Sequence, residues 1–344
     1  MKELKILALL IGLTLITYIG IEPIAHAVMH PHMEGPDFQY QDLKAIPGQG
    51  DAVKGKELTQ MNCTYCHSIK ADGFPKPVTK EDLIAKYGRS IEKSLSIQMT
   101  FDRISNRYLS EMYTAAVPLD LSNVASVFDE KYLKHFIKDP AGTAFESTFI
   151  LHKTKKMHLD IAKAKSEEQI EKIETTTAAD ISTFKAKNKI SMPAQSHLTS
   201  QDINDIVAYL KSVSKPIDGR ESLALACGRC HGVAYDKLEP TTPSKILNKY
   251  LGMVPPDLSM SIRSKGHEYL TIFLNDPQKV LIGSSMPRVG ISEETESKIV
   301  SYLESVGDSK KEDRDSLGMW VILYMTIFSI LAYLWKRKIW KEVH

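Results

Sequence analysis

The sequence predicts a mainly α-helical chain built from two copies of one small domain in tandem, with an apolar helix near each end. Three observations predict it. The same ordered set of short segments occurs in both halves, two charge-free apolar runs lie near the termini, and alternation of the strand type is scarce between them. The 344 residues leave room for two small domains. A formal net charge of +2 with 43% hydrophobic residues is that of an ordinary globular chain, so neither nucleic-acid binding nor disorder is expected.

The first apolar run, Ile6 to Ile21, comes after Lys2 and Lys5 and reads as an export signal. Ala25-His26-Ala27 has the form of a cleavage site, while the length of the run and Pro23 are compatible with cleavage or with a retained anchor. The retained anchor is the preferred reading. Residues 1–27 are thus expected to be a signal peptide or transmembrane anchor, and residues 28–50 a linker.

All four cysteines fall in two Cys-x-x-Cys-His runs, Cys63 to His67 and Cys227 to His231. Each supplies two thiols at the spacing that forms thioethers with porphyrin vinyl groups, and a histidine placed to ligate iron. Two covalently bound haem c groups are therefore expected, with Cys63, Cys66, Cys227 and Cys230 as attachment points and His67 and His231 as proximal ligands. A zinc ribbon would bring its cysteine pairs within roughly 15–20 residues of each other, whereas these lie in opposite halves of the chain. A redox dithiol has no use for the adjoining histidine. Haem is attached outside the cytoplasm, which agrees with an export signal.

Beyond each motif the same segments recur. Val117-Pro118-Leu119-Asp120-Leu121-Ser122 precedes Tyr132-Leu133, and Val254-Pro255-Pro256-Asp257-Leu258-Ser259 precedes Tyr269-Leu270. Each copy then reaches an Asp-Pro pair, Ser-Met-Pro at Met192 or Met286, and a closing helix, Ile206 to Val213 or Ile299 to Val306. Helical starts are expected at Ala52 to Met61 and Gly219 to Ala226. The domains are placed at residues 51–215 and 216–308. The first copy carries a long charged stretch, within residues 150–189, expected as an exposed helical insertion with a solvated face.

Repeat position selects Met192 and Met286 from 13 methionines as the distal iron ligands. The proline after each holds it in extended geometry. At the first haem His135, His152, His158 and His197 are the alternatives to Met192. Methionine–histidine ligation closes the coordination sphere and raises the reduction potential, so electron transfer is expected in place of oxygen or peroxide activation. The carbonyls of Pro118 and Pro255 either accept the second ring N–H of the proximal histidines or belong to rigid turns only. Arg263 is a candidate partner for a haem propionate or a surface arginine.

The second apolar run, Leu317 to Trp335, covers roughly the 30 Å of a hydrocarbon core at about 1.5 Å per residue. Trp320, Tyr333 and Trp335 lie near its ends, and Lys336, Arg337, Lys338 and Lys341 come next. By the positive-inside rule the tail, residues 336–344, is cytoplasmic and the haem domains lie on the other side.

Pro255-Pro256-Asp257-Leu258-Ser259, then Arg263, Tyr269-Leu270 and Met286-Pro287 ahead of one C-terminal span, resemble cytochrome c1 of quinol:cytochrome c oxidoreductases. The resemblance is close over the second copy and anchor and looser over the first, where Leu119 replaces the second proline. With two haem motifs the chain resembles the diheme cytochrome c1 variant of some bacteria. The resemblance implies tandem class I cytochrome c-like domains in the periplasm, held at the bacterial inner membrane. It implies cytochrome b and the Rieske iron–sulfur protein as partners, with a cytochrome c or terminal oxidase downstream. Cys227, Cys230, His231 and Met286 would carry the c1-type haem, and Cys63, Cys66, His67 and Met192 the added one. Such a chain is an electron-transfer subunit of the oxidoreductase complex, not a catalyst alone. A diheme subunit of a cbb-type haem–copper oxidase and a diheme peroxidase are the other readings; the C-terminal anchor argues against the first and closed ligation against the second.

Overall fold

The computed structural model describes residues 2–29, 34–188 and 190–343. Residues 30–33 of the expected linker, Lys189 at the end of the expected insertion, Met1 and His344 lie outside the described residues, as do the side chains of His26 and Ala27. The chain is mainly helical, and among the described residues it forms no strand, only isolated bridges. Met1–Pro36 and Asp37–His344 are two separate compact units.

The first unit consists of α1 (Lys2–Leu15), a π turn (Ile16–Ile21) and α2 (Glu22–Met29). Pro23 has no N–H to donate and its ring crowds the preceding turn; the π turn, closed by the Glu22 N–H on the Thr17 carbonyl, supplies the wider backbone that accepts it. Lys5–Ala25 is long and apolar enough to cross a membrane.

In the second unit the first repeat runs α3 (Ala52–Asn62), α4 (Lys80–Tyr87), α5 (Gln98–Tyr113), α6 (Val124–Val127), α7 (Glu130–Lys138), α8 (Ser147–Ile161), α9 (Glu167–Lys187) and α10 (Ser200–Val213). The second repeat runs α11 (Gly219–Ala226), α12 (Ser244–Leu251), α13 (Ser261–Lys265), α14 (His267–Asn275), α15 (Pro277–Val280) and α16 (Glu293–Gly307). Then α17 (Lys311–Val343) contains the expected span, and Lys311–Lys341 is long and apolar enough to cross a membrane.

Each repeat is organised by its first helix crossing its last. Asp51 caps α3 by accepting the Val53 and Lys54 N–H groups, and Thr199 with Asp202 forms a capping box on α10. The helices meet at Gly55, where a Cβ would lie 1.9 Å from the Asp205 carbonyl oxygen. In the second repeat α11 crosses α16 at Gly219, where a Cβ would lie 2.3 Å from the Lys298 carbonyl oxygen. Only glycine permits backbones that close. The helical spacing of Ile203, Ile206, Val207 and Leu210 aims one face of α10 at Ile69, Val124, Leu133 and Ile137. Ile299, Val300 and Leu303 of α16 likewise cover Leu223, Val233, Leu270 and Leu274. Burying each such side chain contributes about 1.5–3 kcal/mol, which makes these faces the main source of stability.

The repeats share a seam. Val127 of the first repeat belongs to the core of the second, and Phe128 pairs with Ile291 in an antiparallel bridge. The first repeat also carries two additions with apolar centres of their own. Helices α4 and α5 close over Val78, Leu83, Leu95 and Leu109. The charged insertion is the α8–α9 hairpin, whose base is packed: the Phe149 and Phe184 rings stack at 3.7 Å beside Phe145. His152 Nε2 reaches Asp276 of the second repeat at 2.7 Å, so the hairpin docks at its base while much of its outer face is exposed.

Candidate haem-attachment sites

Both Cys-x-x-Cys-His runs are a single turn at the end of a helix. In the first, the Cys63 N–H donates to Thr59 at 2.9 Å, closing α3, and the Cys66 and His67 N–H groups both return to the Cys63 carbonyl, at 3.1 and 2.9 Å. In the second, Cys227 donates to Leu223 at 2.8 Å, and Cys230 and His231 return to Cys227 at 3.0 and 2.9 Å. The turn gathers two thiols and an imidazole from five consecutive residues. All four cysteines are free thiols. Burial pushes the Cys63 thiol up to about 11 and Cys227 up to about 12, the reverse of the depressed value that a redox dithiol needs. Among the described residues no group of three or more His, Cys, Asp or Glu side chains could hold a metal ion, so the two cysteine pairs do not converge on a zinc site.

The imidazoles are oriented alike. His67 Nδ1 lies 2.8 Å from the Leu119 carbonyl oxygen, and His231 Nδ1 lies 2.8 Å from that of Pro256. A carbonyl can only accept, so each Nδ1 carries the proton and Nε2 keeps its lone pair for a metal. Burial, the larger influence on both, lowers their pKa and favours the neutral ligand form.

The accepting carbonyl is one residue beyond the expected Pro118 and Pro255. The reason is register. The Leu121 N–H donates to the Ser68 carbonyl and the Leu258 N–H to that of Gly232, each at 2.8 Å, so the residue after each histidine pins the Asp-Leu step. Asp120 accepts the Ser68 hydroxyl at 2.5 Å, while Asp257 accepts the Ala234 N–H at 2.8 Å. With the aspartate held beside the Cys-x-x-Cys-His turn, the residue immediately before it turns its carbonyl to the ring.

The duplication continues to individual atoms. Ser122 and Ser259 hydroxyls accept the Ala71 and Tyr235 N–H groups at 3.0 and 3.1 Å. Tyr209 of α10 donates to Asp72, and Tyr302 of α16 to Asp236, both at 2.7 Å. Lys56 pairs with Asp72 at 2.8 Å and Arg220 with Asp236 at 2.5 Å. The repeat pattern in the sequence aligns the tyrosines but not their aspartates; the equal spacing of Asp72 and Asp236 from the two motifs is the signal that could have found them.

The methionines differ in setting. Met286 packs against the core that contains Cys227, and its loop is tied by Gln278, which donates to the Ser284 carbonyl and accepts from Gly283, each at 2.8 Å. Met192 is half-buried between exposed Ser191 and Pro193, with the Ser191 backbone bonded to Tyr250 of the second repeat. Of the alternative histidines, His135 meets the Lys44 carbonyl at 2.6 Å and His152 meets Asp276, whereas His158 is exposed and His197 lies 3.0 Å from the Asn62 amide oxygen, next to Cys63. Arg263 is exposed on α13, with its charge felt at Asp308. Arg229 and Arg288, which the sequence did not single out, each hold a buried Nε without a hydrogen-bond partner. The second motif is also linked to the loop of the first repeat that carries Leu119: Thr242 donates its N–H to the Arg229 carbonyl at 3.3 Å, and its hydroxyl accepts the Val117 N–H at 3.1 Å.

No family model and no curated protein matches the chain. Among solved structures it is similar to a chain of "Hyperthermophilic respiratory Complex III", with 24% identity over 37% of this chain and 75% of that chain and a TM-score of 0.30. A likeness at that level decides nothing about fold or role.

Proposed function

We propose that this chain is a membrane-anchored carrier of two covalently attached haems, serving as the cytochrome c1-like electron-transfer subunit of a quinol:cytochrome c oxidoreductase. The observation that carries the reading is the paired geometry of the two motifs: two free thiols on one turn and an imidazole whose Nδ1 is held by a backbone carbonyl. The donor set fits haem c. Cys63 and Cys66, and Cys227 and Cys230, would form the thioethers; His67 and His231 would ligate iron through Nε2; Met192 and Met286 would complete the coordination. The buried Nε–H group of Arg229, inside the second motif, suits the carboxylate of a propionate. When bound, haem c supplies a one-electron iron couple. The chain's own residues hold the imidazoles neutral and aligned, and keep the two repeats on one framework through the Thr242 bridge and the Phe128–Ile291 seam.

The wider assignment rests on the cytochrome c1 resemblance of the second repeat together with the apolar helix that comes after it. In that reading the haem domains face the periplasm, the basic end after Trp335 is cytoplasmic, electrons arrive from a Rieske iron–sulfur protein, and a cytochrome c or terminal oxidase takes them away. Purification from membranes in mild detergent, followed by mass spectrometry, should yield cytochrome b and a Rieske protein with this chain at two haems per copy. Haem–copper oxidase subunits in their place, or peroxide turnover by the isolated chain, would overturn the assignment. Replacing Cys63 and Cys66 by serine should leave one covalent haem; two remaining would refute the attachment sites.

A further inference from the structure

We infer that the segment Asp37–Leu43, ahead of the first repeat, is a strap that positions the Met286 thioether of the second repeat, latched by the ion pair between Asp42 and Arg288. This rests on the reading of Met286 as an iron ligand. Arg288 stands two residues after Met286, its side chain 3% exposed. Its Nη1 and Nη2 donate to the two carboxylate oxygens of Asp42 at 2.7 and 3.0 Å, and its guanidinium lies 4.6 Å from the centre of the Tyr40 ring. A planar fork bound at two points and covered on one face has little freedom left.

The strap is itself fastened to both repeats. The Tyr40 hydroxyl donates to the Ile291 carbonyl at 2.7 Å, and the Asp37 backbone exchanges hydrogen bonds with the Asn275 amide at 2.8 and 3.1 Å. From the first repeat, Lys131 reaches the Tyr40 carbonyl at 2.6 Å, and the Tyr132 hydroxyl donates to the Arg288 carbonyl. The Arg288 N–H donates to Ala144 at 2.8 Å. Tyr40 is fully buried in the left-handed region, at φ 47°, a conformation costly for a bulky side chain that persists where its surroundings over-determine it.

Stability alone is a poor explanation for the latch. A buried ion pair loses most of its Coulombic gain to desolvation, and an apolar pair of the same volume stabilises a fold as well or better. Placement explains it. Pro287 stiffens the backbone between Met286 and Arg288 and confines Met286 to extended geometry, so fixing the guanidinium fixes where the thioether points. The first repeat has no counterpart: the residue two after Met192 is Ala194, which is exposed. Asp42 and Arg288 are positioning residues for Met286.

The test uses the full haem-loaded chain in detergent, in a Met192→Ala background so that the far-red thioether-to-iron band reports Met286 alone. Asp42→Asn and Arg288→Lys should each remove more than half of that band. The ferrous protein should pass from one carbon monoxide per chain in the background towards two, with both haems still covalently attached and helicity unchanged. Tyr40→Phe, which keeps the ion pair and loses only the Ile291 bond, serves if the ionic variants do not accumulate, and should weaken the band in the same direction. A band and carbon monoxide stoichiometry equal to the background in these variants would overturn the strap. A background protein with no such band would instead overturn Met286 as ligand, and one without covalent haem would overturn the proposed function itself.

Discussion

Replacing Gly55 by alanine tests whether the crossing of α3 and α10 holds the first Cys-x-x-Cys-His motif in place. A Cβ there would lie 1.9 Å from the Asp205 carbonyl oxygen and 2.4 Å from its carbon, where real contacts do not fall below 3.0 Å, so the helices would have to part by about 1 Å. At an open helical position the same change would stabilise by about 1 kcal/mol, because alanine loses less backbone entropy than glycine. Overpacking a closed interface costs about 1–3 kcal/mol, and a clash with backbone, which cannot rotate away, belongs at the upper end. The expected net result is destabilisation by about 2 kcal/mol. Denaturant unfolding of the haem-loaded chain, followed by far-UV circular dichroism, measures it, with the exposed Val53→Ala as a control expected within about 0.5 kcal/mol of the parent. Gly219→Ala in the second repeat should behave alike, since its Cβ would meet Lys298 backbone at 2.3 Å. A neutral or stabilising Gly55→Ala would refute the close crossing and the account of how Cys63, at the end of α3, is placed.

Asp257→Asn should loosen the Pro256 carbonyl from His231 and lower the basicity of that imidazole, raising the midpoint potential of one haem in a redox titration; an unchanged titration would refute the link. Thr199→Ala should cost about 1 kcal/mol by removing the cap of α10. The Thr199 hydroxyl is the largest cause holding Asp202 down at about 2, from 3.8 in the unfolded chain. A depressed carboxyl stabilises fully above its unfolded value and loses that effect as pH falls through its folded value. The gap between parent and variant in denaturant unfolding should therefore be full at neutral pH and narrow as pH falls from 3.8 towards about 2, leaving the part owed to the Asp202 N–H on the Thr199 hydroxyl; a gap constant across that window would count against the capping box. A chain ended before Leu317 should stay with membranes if the N-terminal segment is a retained anchor, and leave them only when residues 1–27 are also removed; release by the single truncation would refute the retained anchor.

Residues close in sequence made the local geometry of the two Cys-x-x-Cys-His runs legible. Five consecutive residues hold the thiols and the imidazole, and a single helix-ending turn brings them together without help from elsewhere. The closing helices were legible for a related reason: an apolar face at helical spacing, as in Ile203, Ile206, Val207 and Leu210, has to be buried. The register of the proline loops was not. Choosing between Pro118 and Leu119, or between Pro255 and Pro256, needs the bonds from Leu121 to Ser68 and from Leu258 to Gly232, and neighbouring carbonyls on an extended chain point in opposite directions. The charged insertion looked solvated because its charges outnumber its apolar residues, yet Phe149 and Phe184 meet only once the hairpin has closed.

By itself the sequence determined the helical class, the duplication around two Cys-x-x-Cys-His motifs and the two apolar runs, because each is a matter of local composition or of recurrence along the chain. Tertiary structure alone decided that Gly55 and Gly219 are crossing points, that Leu119 and Pro256 face the imidazoles, and that Asp42 latches Arg288. The last pair is 246 positions apart. Contacts of that kind arise from the closure of long loops, whose geometry depends on every element packed between their ends, and no local pattern in the chain announces them.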